Sequence, residues 1–336
     1  MGQLEAEAVK TFERRFLFVT GKGGVGKTTV AASLARALSL RGRRVLLAAT
    51  DSTPYRELLP DARWEDDPAP SGERSFTVRL ESEAALREYG RLLIKPRLAR
   101  QALFENRYVQ GFLAALPGLP QWAVLGKAWF HSTELERGVP RFDSVVFDAP
   151  ATGHGLELLR LPRTITELAP AGLLRRDAEL AWQMFQDTSQ CCICLVTLPE
   201  ELPTNETIEL CTRIRGELGL PLGALVLNRT LTPAFSSEQR ERLAPLAGLQ
   251  PQAAGETALR AAALRAVAER VQHECVQRLT AVGAPLVLLP EVETARAETL
   301  LDQLASALTN ARPAAPAPAG TPPVNVGATP GPSRGT

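Results

Sequence analysis

The sequence has no excess of charge of either sign: 38 basic and 37 acidic side chains leave a formal net charge of +1 over 336 residues. A chain built mainly to hold nucleic acid or an anionic membrane would carry a basic surplus. Nor is there an apolar run near the ~20 residues that a membrane span needs. The amino terminus, Met1–Lys10, has acidic Glu5 and Glu7 and no apolar core, so it does not read as a secretory signal. Cysteines number five, an odd count in a long chain, which argues against a disulfide framework. These absences point to a cytoplasmic location. With 45% hydrophobic and 22% charged residues, the length suits one large or two ordinary soluble domains.

Three of the cysteines fall in the run Cys191-Cys192-Ile193-Cys194-Leu195-Val196, where Cys191 and Cys194 formally spell C-x-x-C. A zinc or redox site is one reading. The other is core, because the run is uniformly apolar between Gln190 and Pro199, as in a strand buried on both faces. Side chains three apart on a strand point to opposite faces and cannot converge on one ion. Core packing is the favoured reading, and no zinc is expected. Cys211 and Cys275 fall on the apolar faces of predicted helices and are read the same way.

What the chain does contain is alternation. Strand-like runs recur at Phe16–Val19, Val45–Ala49, Phe76–Leu80, Val145–Phe147, Cys191–Val196, Ala224–Leu227 and Pro285–Leu289. Helical patterns separate most of them, notably Thr29–Leu40, Asn205–Leu218, Glu256–Val282 and Ala295–Thr309. This rhythm predicts an α/β fold, a mostly parallel doubly wound sheet with helices on both faces and ligand at the carboxyl ends of the strands. One domain is expected over residues 14–310, after an N-terminal extension at 1–13. Residues 84–130 break the rhythm with leucines and aromatics at helical spacing, interleaved arginines, Pro117, Pro120, Trp122 and Trp129, and read as a helical insertion. Its apolar stripe is either core or part of a surface that closes over a client. Residues 311–336, rich in proline, alanine and glycine, read as a disordered tail.

The most specific segment is Gly21-Lys22-Gly23-Gly24-Val25-Gly26-Lys27-Thr28-Thr29, which satisfies G-x-x-x-x-G-K-[ST] between a strand and a helix. Its glycines let the backbone curl around an anion with N–H groups pointing inward, and the helix beginning near Lys27 adds the positive end of its dipole. Lys27 suits the β- and γ-phosphates and Thr28 suits magnesium. Lys22 has no place in that minimal cradle. A lysine here suits the phosphate of a partner subunit, acting as an arginine finger does, and such fingers contribute roughly 10³–10⁵ in rate.

The two-lysine loop resembles that of the signature-lysine dimeric ATPases. The segment Phe147-Asp148-Ala149-Pro150-Ala151-Thr152-Gly153-His154 resembles the second switch of the arsenical-pump, anion-transporting ATPases and of their relatives that target tail-anchored membrane proteins. The likeness covers most of the chain, weakest in the insertion and absent from the tail. It implies a P-loop NTPase fold, ATP and Mg²⁺ as cofactors, ATP hydrolysis and a homodimer. Asp148 takes the strand-end position that holds magnesium directly or through water. Thr152-Gly153-His154 takes that of a γ-phosphate sensor; His154 either relays that state or makes a local helix-start hydrogen bond. Asp51, after the second strand, is assigned to orient or deprotonate the attacking water. Family members continue D-P-A-H at this point, whereas this chain continues Asp51-Ser52-Thr53-Pro54-Tyr55. Asn228 matches the strand-end asparagine whose amide meets adenine, with a plain turn residue as the alternative. Pro290 lies in Leu288–Glu293, which resembles the loop over the base.

The resemblance leaves the client open, whether a membrane-protein segment, an anion or another partner protein. Arsenite would need gathered soft thiolates, which the cysteine pattern does not offer. Tail-anchored targeting uses a methionine-rich groove and often a zinc C-x-x-C, and this chain has only Met1 and Met184. The competing classes are a positioning ATPase of the partitioning and division-site type, which the balanced charge disfavours, and a nucleotide-bound scaffold with little hydrolysis. No nucleic-acid binding is expected.

Overall fold

The structure is a computed structural model that describes residues 11–93, 118–150, 154–294 and 296–310, with residues 90–93 and 154 described by their backbone alone. Its chain begins with β1 (Phe16–Gly21), α1 (Lys27–Leu40), β2 (Val45–Ala49), the single turn α2 (Tyr55–Leu58), β3 (Ala69–Pro70), β4 (Ser75–Arg79) and α3 (Ser82–Leu93). It continues through α4 (Leu119–Thr133), a small hairpin of β5 (Leu135–Glu136) and β6 (Val139–Pro140), then β7 (Ser144–Asp148), α5 (His154–Leu168) and α6 (Leu173–Gln186). The last part is β8 (Cys191–Thr197), α7 (Glu201–Leu218), β9 (Ala224–Thr230), α8 (Ser237–Leu243), α9 (Ala254–Thr280), β10 (Leu286–Pro290) and α10 (Ala297–Asn310).

Eight strands form one sheet in the order β10-β9-β8-β1-β7-β2-β4-β3, parallel except for the edge pair β3–β4. Burial agrees with this order. Strands β1, β2, β7 and β8 have every residue buried, so each needs a helical layer on both faces. Alternate side chains then divide between two cores. Phe16 and Phe18 pack with Trp122, Phe147 and Phe185 on one face; Leu17 and Val19 pack with Leu34, Val146 and Leu304 on the other.

β1 lies at the topological switch point, with β7, β2 and β4 on one side and β8, β9 and β10 on the other. Crossovers leave the strand ends in opposite directions there and open a crevice at the carboxyl edge. Two registers bring the relevant ends level: Val19 and Ala49 both stand opposite Asp148. On the other side Gly21 pairs with Val196, and Thr197 pairs with Leu227 just before Asn228.

Each of the seven expected strands is present, most of them within a residue or two of the reading. Sequence periodicity did not single out α5 and α6, which follow β7 and cover the aromatic core, or the two-residue strand β3. Phe12, assigned to the N-terminal extension, is 2% exposed and packs with the core. Within the expected insertion, α3 and α4 pack on each other, Trp122 and Trp129 are buried, and Arg87 is exposed. Residues 94–117 and the expected tail at 311–336 lie outside the described residues. Among the described residues, no helix is long and apolar enough to cross a membrane.

Candidate functional site

The glycine loop leaves β1 under a tight roof. Gly21 sits at φ +149°, and a Cβ there would stand 2.3 Å from the Val196 carbonyl oxygen on the neighbouring strand. Gly26, the residue just before α1, has φ +89° and ψ +27°. A Cβ on it would lie 2.4 Å from Asn228 Nδ2. That amide donates to the Val25 carbonyl at 3.0 Å and is itself buried, while Val25 anchors the loop in the core. Asn228 thus grips the phosphate loop from β9. The amide that sequence reading reserved for adenine has a backbone partner here.

Lys27 opens α1 with its ammonium folded back onto the loop, donating to the Lys22 carbonyl at 2.8 Å. Burial pushes its pKa down, and the nearby Asp148 carboxylate opposes that shift. Thr28 turns the other way and donates its hydroxyl to Asp148 Oδ2 at 2.9 Å. Thr29 continues the helix, its carbonyl accepting from the Ser33 hydroxyl.

Asp148, closing β7, is the electrostatic centre. It is 8% exposed, and burial pushes its pKa up; hydrogen bonds from Tyr55 and Thr28 and the charge of Lys27 pull the other way, while Asp51 adds to the rise. Oδ2 accepts two hydroxyl bonds, from Thr28 and from Tyr55 at 2.8 Å. Oδ1 is buried with no hydrogen-bond partner among the described residues. A buried anionic oxygen left open beside a threonine hydroxyl, at the mouth of a cradle with two glycines whose Cβ atoms would collide, suits a hard divalent cation with a phosphate. Thr28 and Asp148 therefore fit magnesium, and Lys27 with the loop fits the anion.

No sequence motif gives Tyr55 a role. It is fully buried and its ring lies 4.6 Å, centroid to centroid, from that of Trp64. Pro54 before a turn of helix was the local hint; the partner, 93 residues away, had no sequence signal. Asp51 is exposed at the mouth, its Oδ1 accepting the Thr53 N–H at 2.8 Å. Lys22 forms an ion pair with Glu206 of α7, both side chains over a third exposed. Glu206 was not singled out from the sequence either, and its second oxygen is buried with no hydrogen-bond partner among the described residues. The pair borders a cleft of about 200 Å³ lined also by Leu156, Thr207, Leu210 and Arg213.

The remaining expected positions are placed as follows. Gly23 and Gly24 are exposed at the loop tip. Pro290 ends β10, pairing with Thr230, on the same carboxyl edge as the loop. Thr152 and Gly153, and the side chain of His154, lie outside the described residues. All five cysteines are buried. Cys191 belongs to one core and Cys192 and Cys194 to the other, the opposed orientation that strand geometry requires. A second concavity, about 270 Å³, lies between α3, α4 and α6, walled by Tyr89, Trp122, Lys127, Phe130 and Asp177.

Residues 14–171 match the family model described as anion-transporting ATPase. ATPase BagA of Mycobacterium tuberculosis (strain ATCC 25618 / H37Rv) is 30% identical over 308 residues, covering 83% of this chain and 87% of that protein. A putative arsenical pump-driving ATPase of Halobacterium salinarum is 28% identical over 67% of this chain and 37% of its own length. ATPase GET3 of Kluyveromyces lactis is 31% identical over 46% of this chain and 47% of its own length.

Proposed function

The chain belongs to the anion-transporting ATPase family, and from that premise we propose that it hydrolyses Mg-ATP as a homodimeric conformational switch coupled to a client. One observation carries the reading: Lys27, Thr28 and Asp148 converge at the switch point of the sheet, with Asp148 Oδ1 buried and without a hydrogen-bond partner among the described residues. The loop N–H groups and Lys27 bind and orient the triphosphate. Thr28 and Asp148 hold magnesium, which supplies charge neutralisation on the transferred phosphoryl group when bound. Asp51 takes the proton of the attacking water, so that ATP and water leave as ADP and phosphate. Asn228, through Val25, keeps the loop in its binding shape, and Pro290, at the end of β10, would flank the base.

Lys22 is the element that makes a second copy necessary. On this reading it leaves Glu206 when two chains close face to face and neutralises charge on the partner's nucleotide. Hydrolysis removes that attraction and the pair reopens. The work done on a client is then the difference in its affinity for the open and closed states. The helical layer of α3 and α4, with its apolar cavity, is the surface proposed to meet the client.

Steady-state ATP turnover of the parent, Lys22→Ala and Asp51→Asn tests the scheme, together with sedimentation in a non-hydrolysable ATP analogue. Lys22→Ala is expected to lose roughly 10³-fold or more in turnover, and the parent to sediment as a dimer only with the analogue. A parent rate no higher than that of Lys22→Ala removes the in-trans lysine.

A further inference from the structure

Among the groups around the candidate metal position, Tyr55 is the one for which neither motif nor family likeness supplies a part. Its hydroxyl is buried and donates to the carboxylate that closes β7. The Trp64 ring packs against that of Tyr55 at a tilt of 37° and confines it. The segment leading from Asp51 to Tyr55 is internally braced. The Thr53 N–H donates to Asp51 Oδ1 at 2.8 Å, the Tyr55 N–H to the Ser52 carbonyl at 3.1 Å, and the Arg56 N–H to the Thr53 carbonyl at 3.2 Å. A hydrogen bond at Tyr55 is therefore also a constraint on Asp51.

We propose that Tyr55 is a positioning residue for the metal side of the site: its hydroxyl fixes the Asp148 carboxylate and ties the Asp51–Tyr55 turn to it. The geometry makes the case in two steps. With Thr28 and Tyr55 both donating to Oδ2, the carboxylate is held in one rotamer and presents Oδ1 as its open acceptor. Without Tyr55, one donor remains and the group is free to turn, so a cation loses a prearranged ligand. Because Tyr55 belongs to the same braced turn as Asp51, the occupied and empty states of the metal position are felt at Asp51.

The inference rests on the nucleotide–magnesium reading above. Its test is the affinity for ADP measured by calorimetry in Mg²⁺ and in EDTA, for the parent, Tyr55→Phe and Trp64→Phe. The quantity compared is the enhancement of ADP affinity by Mg²⁺. Tyr55→Phe keeps the ring against Trp64 and removes only the hydroxyl. It is expected to lower the enhancement about tenfold, the low end for a hydrogen bond to a charged acceptor, with ADP affinity in EDTA unchanged. Trp64→Phe, which keeps the hydroxyl and an aromatic ring against Tyr55, is expected to retain the parent enhancement. Equal weakening of Tyr55→Phe in both conditions would assign the residue to packing alone and overturn the proposal. So would an enhancement equal to the parent's. If the parent binds ADP but gains nothing from Mg²⁺, the metal reading itself fails, and Tyr55 with it; that outcome is distinct from a parent that responds and a variant that responds equally.

Discussion

Replacing Gly26 by alanine probes the most constrained point of the loop, and two separable costs are expected. The first is backbone: at φ +89° a residue with a Cβ is strained by about 1–2 kcal/mol. The second is a collision, since the new methyl would stand 2.4 Å from Asn228 Nδ2 and displace the amide from the Val25 carbonyl. Both groups are buried, and leaving them unpaired costs about 1–3 kcal/mol more. The sum, about 2–5 kcal/mol, is a large part of the ~5–15 kcal/mol that holds a domain folded. At about 2.1 cal/mol/K per residue, a domain of roughly 300 residues loses about 3–8 °C in Tm. Urea unfolding of the parent, Gly26→Ala, Asn228→Ala and the double variant separates the two. In the Asn228→Ala background there is no amide to displace, so Gly26→Ala is expected to cost only the backbone share, about 1–2 kcal/mol. The coupling between the sites is then about 1–3 kcal/mol. Equal costs in the two backgrounds, within ~0.5 kcal/mol, would refute the claim that Asn228 clamps the loop.

Three further outcomes are expected. Glu206→Gln releases Lys22 from an ion pair that is more than a third exposed on both sides, so stability is expected to stay within ~0.5 kcal/mol. Nucleotide-dependent self-association, followed by sedimentation, should strengthen about 2–5-fold, the yield of a surface pair worth a few tenths to one kcal/mol; weakening would mean that Glu206 guides rather than retains the lysine. Asp148 has its pKa raised, chiefly by burial, so its contribution to folding is full below the unfolded value and is lost as pH rises through the folded one. Without nucleotide or Mg²⁺, Asp148→Asn should therefore gain in Tm over the parent as pH rises from about 4 toward 7, and a difference independent of pH would contradict the assignment. Burial pushes the Cys192 thiol up to about 12 and that of Cys211 to about 11. Ellman's reagent should label none of the five buried thiols over minutes in the folded chain and all five in guanidine; a fast-reacting thiol in the folded chain would reopen the question of a soft-metal site.

The sequence alone determined what is periodic or local. The apolar runs from Phe16 to Leu289 placed the strands because a residue buried on both faces must be apolar whatever its neighbours. The loop from Gly21 to Thr29 was legible because its glycines answer to φ and close approach within a few residues, and the lysine beside them stands out by type. The opposed faces of Cys191 and Cys194 followed from strand pitch. Which strands stand side by side was decided only by the tertiary structure. Setting β7 between β1 and β2 brings Thr28 and Tyr55 onto one carboxylate, although 120 and 93 residues of chain separate them from Asp148. The same holds for Lys22 and Glu206, 184 residues apart, and for Asn228 reaching Val25 across 203. Such pairs carry no period and no fixed spacing. They exist because crossover helices and sheet order close long loops at little entropic cost per added residue, and many sequences of the same local pattern could close them differently.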